Sequence, residues 1–362
     1  MTVLQALLKH ADRLVGRLII QLLPPSSHRD VRLPPISVLF IRPGGIGDAV
    51  LLIPAVRALR RCFPGVSIDI LAERRNAGVF VLCPGISSVR RYDVASEFRA
   101  ALKSRYDLVI DTEQWHRLSA VAARLIRAGA RIGFVTNERR RLFTQAIPYE
   151  QDDYEADSFM RLLAPLGCGG GRGEGQFLDV AERDAETAES LLASLKRRVF
   201  VTLFPGASIA ERCWGGGKFA ELATRLQRKE IAVVVVGSAV DSEDAETIER
   251  AGALNLAGKT SLAETAAVLA RSSLLVSGDS GILHIAVGLG VPTVSLFGPG
   301  REKKWAPRGD SHIVINKDLP CSPCTTFGYT PKCPVNARCM ADISVDEVES
   351  SVLALLATKK IQ

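Results

Sequence analysis

The sequence predicts an α/β protein made of two doubly wound halves with parallel sheets, and three observations carry that prediction. From residue 36 onward, short apolar runs rich in Val, Ile and Leu alternate with longer stretches of helical spacing, the pattern of repeated βαβ units. Runs in both halves lead into glycine turns, at Gly44-Gly45-Ile46-Gly47, Pro205-Gly206 and Gly278–Gly281. Near the middle, Cys168–Gly175 (CGGGRGEG) interrupts the alternation and reads as the connection between halves.

Composition narrows the function. With 362 residues, 47% of them apolar, the chain can bury two cores. A net charge of +7 favours acidic partners such as phosphorylated substrates or anionic lipid. The basic residues are scattered in short groups, with no long tail or aromatic-interleaved strand, so no nucleic-acid partner is expected. No uninterrupted apolar run is long enough to span a bilayer, and no clean signal peptide opens the chain. The expected location is therefore the cytoplasm, where thiols stay reduced.

Taken in order, residues 2–23 are amphipathic: Leu4, Leu7, Leu8, Ala11, Leu14, Val15, Leu18 and Leu22 recur at helical spacing, with Lys9, Arg13 and Arg17 on the other side. Such a helix lies in a membrane interface or packs on the domain. Pro24-Pro25-Ser26-Ser27 and Pro34-Pro35 form the linker that follows. Strands are predicted at Ser37–Ile41, Ser67–Leu71, Val89–Tyr92, Leu108–Asp111 and Arg131–Phe134, with helices at Ala49–Cys62 and Ser119–Arg127. The second half repeats the theme. Its strands are Phe200–Phe204, Ile231–Gly237, Leu254–Leu256, Leu274–Ser277 and Thr293–Phe297, and its helices are 218–229, 241–251, 262–271 and 281–289. Helix Val345–Ala357 packs back onto one of the halves. The domains are thus 1–35 (helix and linker), 36–175 and 176–362, two Rossmann-like units facing a cleft, with a Cys-rich loop at 321–339.

Four stretches carry chemistry. Gly44, Gly45 and Gly47 permit positive φ and close approach of a ligand, and Asp48 falls at the expected helix N-cap. Asp48 is either a cap or a general base that takes a proton from an acceptor hydroxyl. The spacing Gly45-x-Gly47 with Asp69 downstream also echoes a dinucleotide loop. Against that reading, Val50 replaces the third glycine, and Asp48 puts a negative charge where pyrophosphate would sit. In the second stretch, Ser208 and Arg212 follow a Pro-Gly turn and suit phosphate, the bland alternative being an ordinary loop with a solvent-facing arginine. In the third, Asp279, Ser280 and Gly281 open a helix at a strand end, an anion site with a carboxylate for sugar hydroxyls, and His284 lies one turn in. The fourth is Cys321, Cys324, Cys333 and Cys339, a structural zinc clip, a disulfide framework or free thiols. The other cysteines, Cys62, Cys83, Cys168 and Cys213, are expected to be unpaired.

Together these stretches resemble glycosyltransferase family 9, the bacterial lipopolysaccharide heptosyltransferases. The likeness covers about residues 36–357: IRPGGIGDAVLLIPAVRALRRCFPGVSIDIL, ARIGF, LFPGAS with RCW, SGDSGILHIAVGLGVPTVSLFGP and CSPC with its later cysteines. The resemblance implies a GT-B fold, an acceptor on the N-terminal half and a nucleotide-sugar on the C-terminal half. It implies inversion at the anomeric centre and no cofactor or metal for catalysis. It makes Asp48 the base, Ser208 a phosphate contact, and Asp279, Ser280, Gly281 and His284 the donor motif, with Arg212 where relatives carry lysine. The segment Asp111–Arg117 departs from the simpler loop of the family. The implied reaction is transfer of a sugar, heptose from ADP-heptose, onto a lipopolysaccharide core or related lipid-linked phosphorylated glycan at the inner face of the inner membrane. Alternatives are another nucleotide sugar, for O-antigen or capsule, and a non-catalytic nucleotide-sugar-binding module.

Overall fold

The computed structural model describes residues 12–169, 175–196 and 198–359. The chain forms two compact units, Met1–Glu174 and Gly175–Gln362. The first holds strands β1 (Ser37–Arg42), β2 (Ser67–Ala72), β3 (Ser88–Arg91), β4 (Arg105–Asp111), β5 (Arg127–Val135) and β6 (Gln145–Pro148). They pair in the order β3-β2-β1-β4-β5-β6, with every neighbour parallel.

The second unit holds β7 (Phe200–Phe204), β8 (Ala232–Val235), β9 (Leu254–Asn255), β10 (Leu274–Gly278), β11 (Thr293–Phe297) and β12 (His312–Asn316). Their order is β12-β11-β10-β7-β8-β9, again all parallel. Counted from its own first strand, each sheet has the same order. The order reverses between β1 and β4, and between β7 and β10. Connections leaving those paired strand ends diverge to opposite faces, which opens a crevice where such sheets bind ligands. The four loops singled out by sequence include one at each of β1, β7 and β10.

The helices fill the two faces of each sheet. Ile46–Cys62 starts three residues earlier than its N-cap signal suggested, because Gly45, with φ −77° and ψ 166°, is the cap. Asp48 is therefore inside the first turn, where a negative charge still favours the helix N-terminus. The predicted helix Ser119–Arg127 lies at Arg117–Leu125, and β5 begins at Arg127 rather than Arg131. The strands β6 and β12 and the helices Ala95–Lys103, Glu155–Arg161 and Glu182–Leu191 carried no sequence prediction.

The N-terminal segment packs on the first unit through a π turn, Asp12–Gly16, and the helix Arg17–Leu22. Ile20 is fully buried in a cluster with Leu39, Ile41 and Val121, and Ile19 and Leu23 lie against it. Asp12 accepts hydrogen bonds from the Arg117 and Leu118 amides, both at 2.8 Å. It thereby caps a helix more than a hundred residues away, whose own N-cap, His116, makes no side-chain capping bond. The packed alternative thus holds for residues 12–23, and residues 2–11 of the predicted helix lie outside the described residues. In the second unit, the C-terminal helix Val345–Lys359 buries Val348, Val352 and Leu355 in the core with Trp214, Phe219 and Val276.

Cys62 and Cys168 form a disulfide with a Cα–Cα separation of 6.0 Å, contrary to the expectation that both are free. The helix Glu155–Arg161 packs on Ile46–Cys62, which brings the chain after it back to the end of the first helix. Compartment reasoning says nothing about such proximity.

Candidate functional site

In the first unit the site grows from the end of β1. Arg42, the last residue of that strand, is 1% exposed. Its guanidinium donates to the Thr112 carbonyl at 3.1 Å and to Glu113 Oε2 at 3.4 Å, both in the loop after β4. It also sits 5.4 Å from the centre of the Phe159 ring. Asp48 Oδ2 lies 4.0 Å from Arg42 Nη2, and the Asp48 side chain keeps a quarter of its surface exposed. A buried cation therefore stands behind a carboxylate that faces out. That arrangement fixes the orientation of Asp48 while leaving it open to a substrate.

Behind Arg42 lies a second layer of buried charge. Glu113 Oε1 accepts from the Trp115 and His116 amides at 3.0 and 3.2 Å. Burial pushes the Glu113 carboxyl up, but His116, Arg42 and Arg139 together hold it below the usual range. Asp111 ends β4 and is wholly buried. It accepts from Ser119 at 3.0 Å and from the equally buried Arg139. Here burial wins over the Arg139 charge, and the Asp111 carboxyl is raised. Tyr149 donates to Glu155 Oε2 at 3.1 Å; burial first, then the Glu155 and Asp48 charges, hold its hydroxyl protonated. The departure at Asp111–Arg117 is thus an internal network that braces the loop beside Arg42.

Of the three glycines, only Gly44 takes a positive φ, +100°. A Cβ on Gly44 would stand 3.2 Å from Arg42 Nη2, whereas a Cβ on Gly45 would meet nothing within 4 Å. The expectation of positive φ at all three is corrected: Gly45 caps the helix and Gly47 is inside it. The Gly44 amide donates to Glu73 Oε1 at 3.2 Å, so the N–H that a pyrophosphate would need already meets a carboxylate. Asp69 is held by Arg90 at 3.3 Å and the Tyr106 hydroxyl at 2.8 Å. Both observations count against dinucleotide binding.

In the second unit, Arg212 ends a short 3-10 turn, Ala210–Arg212, after β7. Its Nη1 pairs with Asp279 Oδ2 at 3.1 Å across the neighbouring strand end, with both side chains mostly buried. Glycine is required around this pair. A Cβ on Gly278 would come 3.0 Å from the Arg212 carbonyl oxygen, and one on Gly300 would come 2.3 Å from Asp279 Oδ2. Ser280 caps the helix Gly281–Gly288 by accepting from the Leu283 amide at 3.2 Å, and its hydroxyl lies 2.8 Å from that of Ser277. His284 is buried at 3% exposure one turn into that helix. Ser208 is exposed on the loop before the 3-10 turn. Arg212, Asp279, Ser280 and Gly281 are therefore gathered at one strand-order reversal, with His284 beneath them.

Of the three alternatives for the cysteine segment, the structure shows free thiols. Among the described residues no group of three or more His, Cys, Asp or Glu side chains is arranged to hold a metal. Cys321, Cys324, Cys333 and Cys339 are free thiols. The reason is their division between surface and core: Cys321 is exposed, while Cys339 packs inside with Met340. The Cys324 and Thr325 amides instead bond the Pro299 carbonyl, at 3.2 and 2.9 Å. The segment braces the Phe297–Gly300 loop that presses on Asp279.

Arg42, Arg139 and Glu155 were missed in the sequence reading, and Asp111 and Glu113 entered it only as part of the departing segment Asp111–Arg117. An arginine closing an apolar strand, followed at the next strand end by Asp-Thr-Glu, was the available signal.

Comparison with known proteins is consistent along the chain. Residues 95–332 match the sequence profile of Glycosyltransferase family 9 (heptosyltransferase). That span includes Arg212 and Asp279–His284 and begins after Asp48. Lipopolysaccharide heptosyltransferase 1 of Pseudomonas aeruginosa is 28% identical over 325 residues, 81% of this chain and 88% of that protein. The family 9 glycosyl transferase from Veillonella parvula matches in structure with a TM-score of 0.75 at 20% identity, covering 92% of this chain and 100% of the other. ADP-heptose lps heptosyltransferase II of E. coli matches with a TM-score of 0.72 at 22% identity, covering 90% and 99%. The two structural likenesses establish the fold.

Proposed function

This chain belongs to glycosyltransferase family 9, and from that membership we propose that it transfers heptose from ADP-heptose onto a lipopolysaccharide core or a related lipid-linked phosphorylated glycan. The observation that carries the choice of sugar and acceptor is the 28% identity, over most of both chains, to a lipopolysaccharide heptosyltransferase. The proposed reaction is a single inverting displacement. The acceptor hydroxyl gives its proton to Asp48, and its oxygen attacks the anomeric carbon. The bond from that carbon to the diphosphate oxygen breaks, and its electron pair leaves with ADP. Arg212 supplies positive charge to the departing diphosphate, a role for which guanidinium geometry suits phosphate oxygens. Ser208, Ser280 and Gly281 contribute hydroxyl and amide donors on the donor side. His284 supports the helix that carries the last two, and Asp279 takes sugar hydroxyls. No metal or other cofactor is assigned to the step. The enzyme works in this reading on the cytoplasmic side of the inner membrane.

The reading rests on a buried cation behind a partly exposed carboxylate at β1, and on a second cation held at β7 and β10. The test is ADP release from ADP-heptose with and without a lipid A–core acceptor, run beside other nucleotide sugars. Acceptor-dependent release from ADP-heptose supports the proposal. Release only from another donor reassigns the sugar, and no release from any donor overturns the enzyme reading.

A further inference from the structure

The N-terminal helix has two apolar faces, and only one of them is packed. Gly16 and Ile20 are buried, with Ile19 and Leu23 half-buried against the core. On the opposite side Leu14 is 70%, Val15 49%, Leu18 56% and Leu22 75% exposed. Leu14, Leu18 and Leu22 recur every four residues, with Val15 beside them, so they form one outward row. Isolated exposed leucines need no explanation, but a continuous row on one short element does.

Cations border this row. Arg17 lies between its members, 65% exposed and paired with Glu138 at 3.4 Å. The chain leaving the helix is fastened to the 3-10 turn Glu138–Leu142: the Ser26 amide donates to the Arg141 carbonyl at 2.7 Å and the Ser26 hydroxyl to that of Leu142 at 3.0 Å. The Gln145 amide side chain holds the Arg29 carbonyl at 2.9 Å. Arg29, Arg32, Arg140 and Arg141 are all exposed, and Asp30 is the acidic residue exposed among them. The element is therefore presented on a fixed mount, with apolar side chains outward and exposed arginines on the linker and turn fastened to it.

We propose that this outward row is a docking surface for an anionic lipid bilayer. The leucines enter the acyl boundary while the arginines meet lipid phosphates. An apolar anchor combined with a basic patch is the pairing that gives stable peripheral attachment. A protein partner or second copy would use the apolar row but has no need of the surrounding cations. The inference stands on this surface alone and is independent of the transfer reading.

The test is co-sedimentation of the full chain with vesicles of phosphatidylcholine containing phosphatidylglycerol, against vesicles of phosphatidylcholine alone. The wild-type chain is expected to sediment with the anionic vesicles and to be released by salt. The triple variant Leu14→Gln, Leu18→Gln, Leu22→Gln should lose at least about tenfold in partitioning, with its melting temperature unchanged. Arg140→Gln with Arg141→Gln should lose about tenfold on anionic vesicles only. Any of four results overturns the proposal. They are no binding of the wild type, equal binding to both vesicle types, wild-type binding by the triple variant, and a lipid-free dimer that the triple variant renders monomeric.

Discussion

Arg42 is the residue on which the first unit's site depends. It is almost fully enclosed, and it neutralises Glu113 while standing 4.0 Å from Asp48. Replacing it by Met keeps the volume and removes the charge, which leaves a buried carboxylate uncompensated. Arg42→Met should cost about 3–5 kcal/mol in urea unfolding, as loss of one partner of a buried pair does. A loss under about 1 kcal/mol would mean that the pair is not braced as described. Gly44 and its neighbour separate two uses of glycine. Gly44→Ala forces a Cβ residue to φ +100° and should destabilise the chain by at least about 1 kcal/mol. Gly45→Ala, at φ −77° with open space around it, should cost less than Gly44→Ala, since only the modest penalty of alanine at a helix N-cap remains. Asp48, Arg212 and Asp279 were legible in the sequence because each closes a strand–turn–helix signal. Arg139 was not, since nothing local distinguishes a buried arginine from a surface one, and the place of Arg42 at the end of an apolar strand was its one sequence signal.

At the scale of elements, ends and caps decide where chemistry can occur. The C-terminal helix shows how one cap becomes a pH response. Glu347 accepts from the Ser344 amide at 2.8 Å while the Ser344 hydroxyl accepts from the Glu347 amide at 3.2 Å. Its carboxyl is held down to about 2 from an ordinary 4.5, first by Lys317 and then by Ser344. A depressed folded-state value means that the stabilisation is fully present above pH 4.5 and is lost as pH falls toward 2. Melting temperature should therefore fall less steeply across that window in Glu347→Gln than in the wild type. Identical slopes would show that the cap does not titrate with folding. The long apolar strands were legible from composition, because a central parallel strand is buried on both faces. Strands β6 and β12 escaped because they are half-exposed edge strands. The N-terminal segment posed a choice between packing and lying exposed that periodicity could not resolve, since its residues do both.

At the scale of the whole molecule, the same strand order occurs twice, and each order reversal carries one cluster of functional groups. The alternation that predicted two α/β units was visible because each βαβ repeat must carry its own apolar strand and amphipathic helix. The free state of Cys62 and Cys168 was misread for a simple reason. Spacing counts thiols along the chain, but three-dimensional distance decides which of them meet. The central claim, that this chain moves a heptosyl group with Asp48 as base, is tested most directly by mass spectrometry of the acceptor glycolipid after incubation with ADP-heptose. The wild type should add one heptosyl group to the acceptor. Asp48→Asn should bind the donor equally and form product about 10²–10⁴-fold more slowly. An acceptor unchanged by the wild type, or product formed by Asp48→Asn at the wild-type rate, would contradict the account.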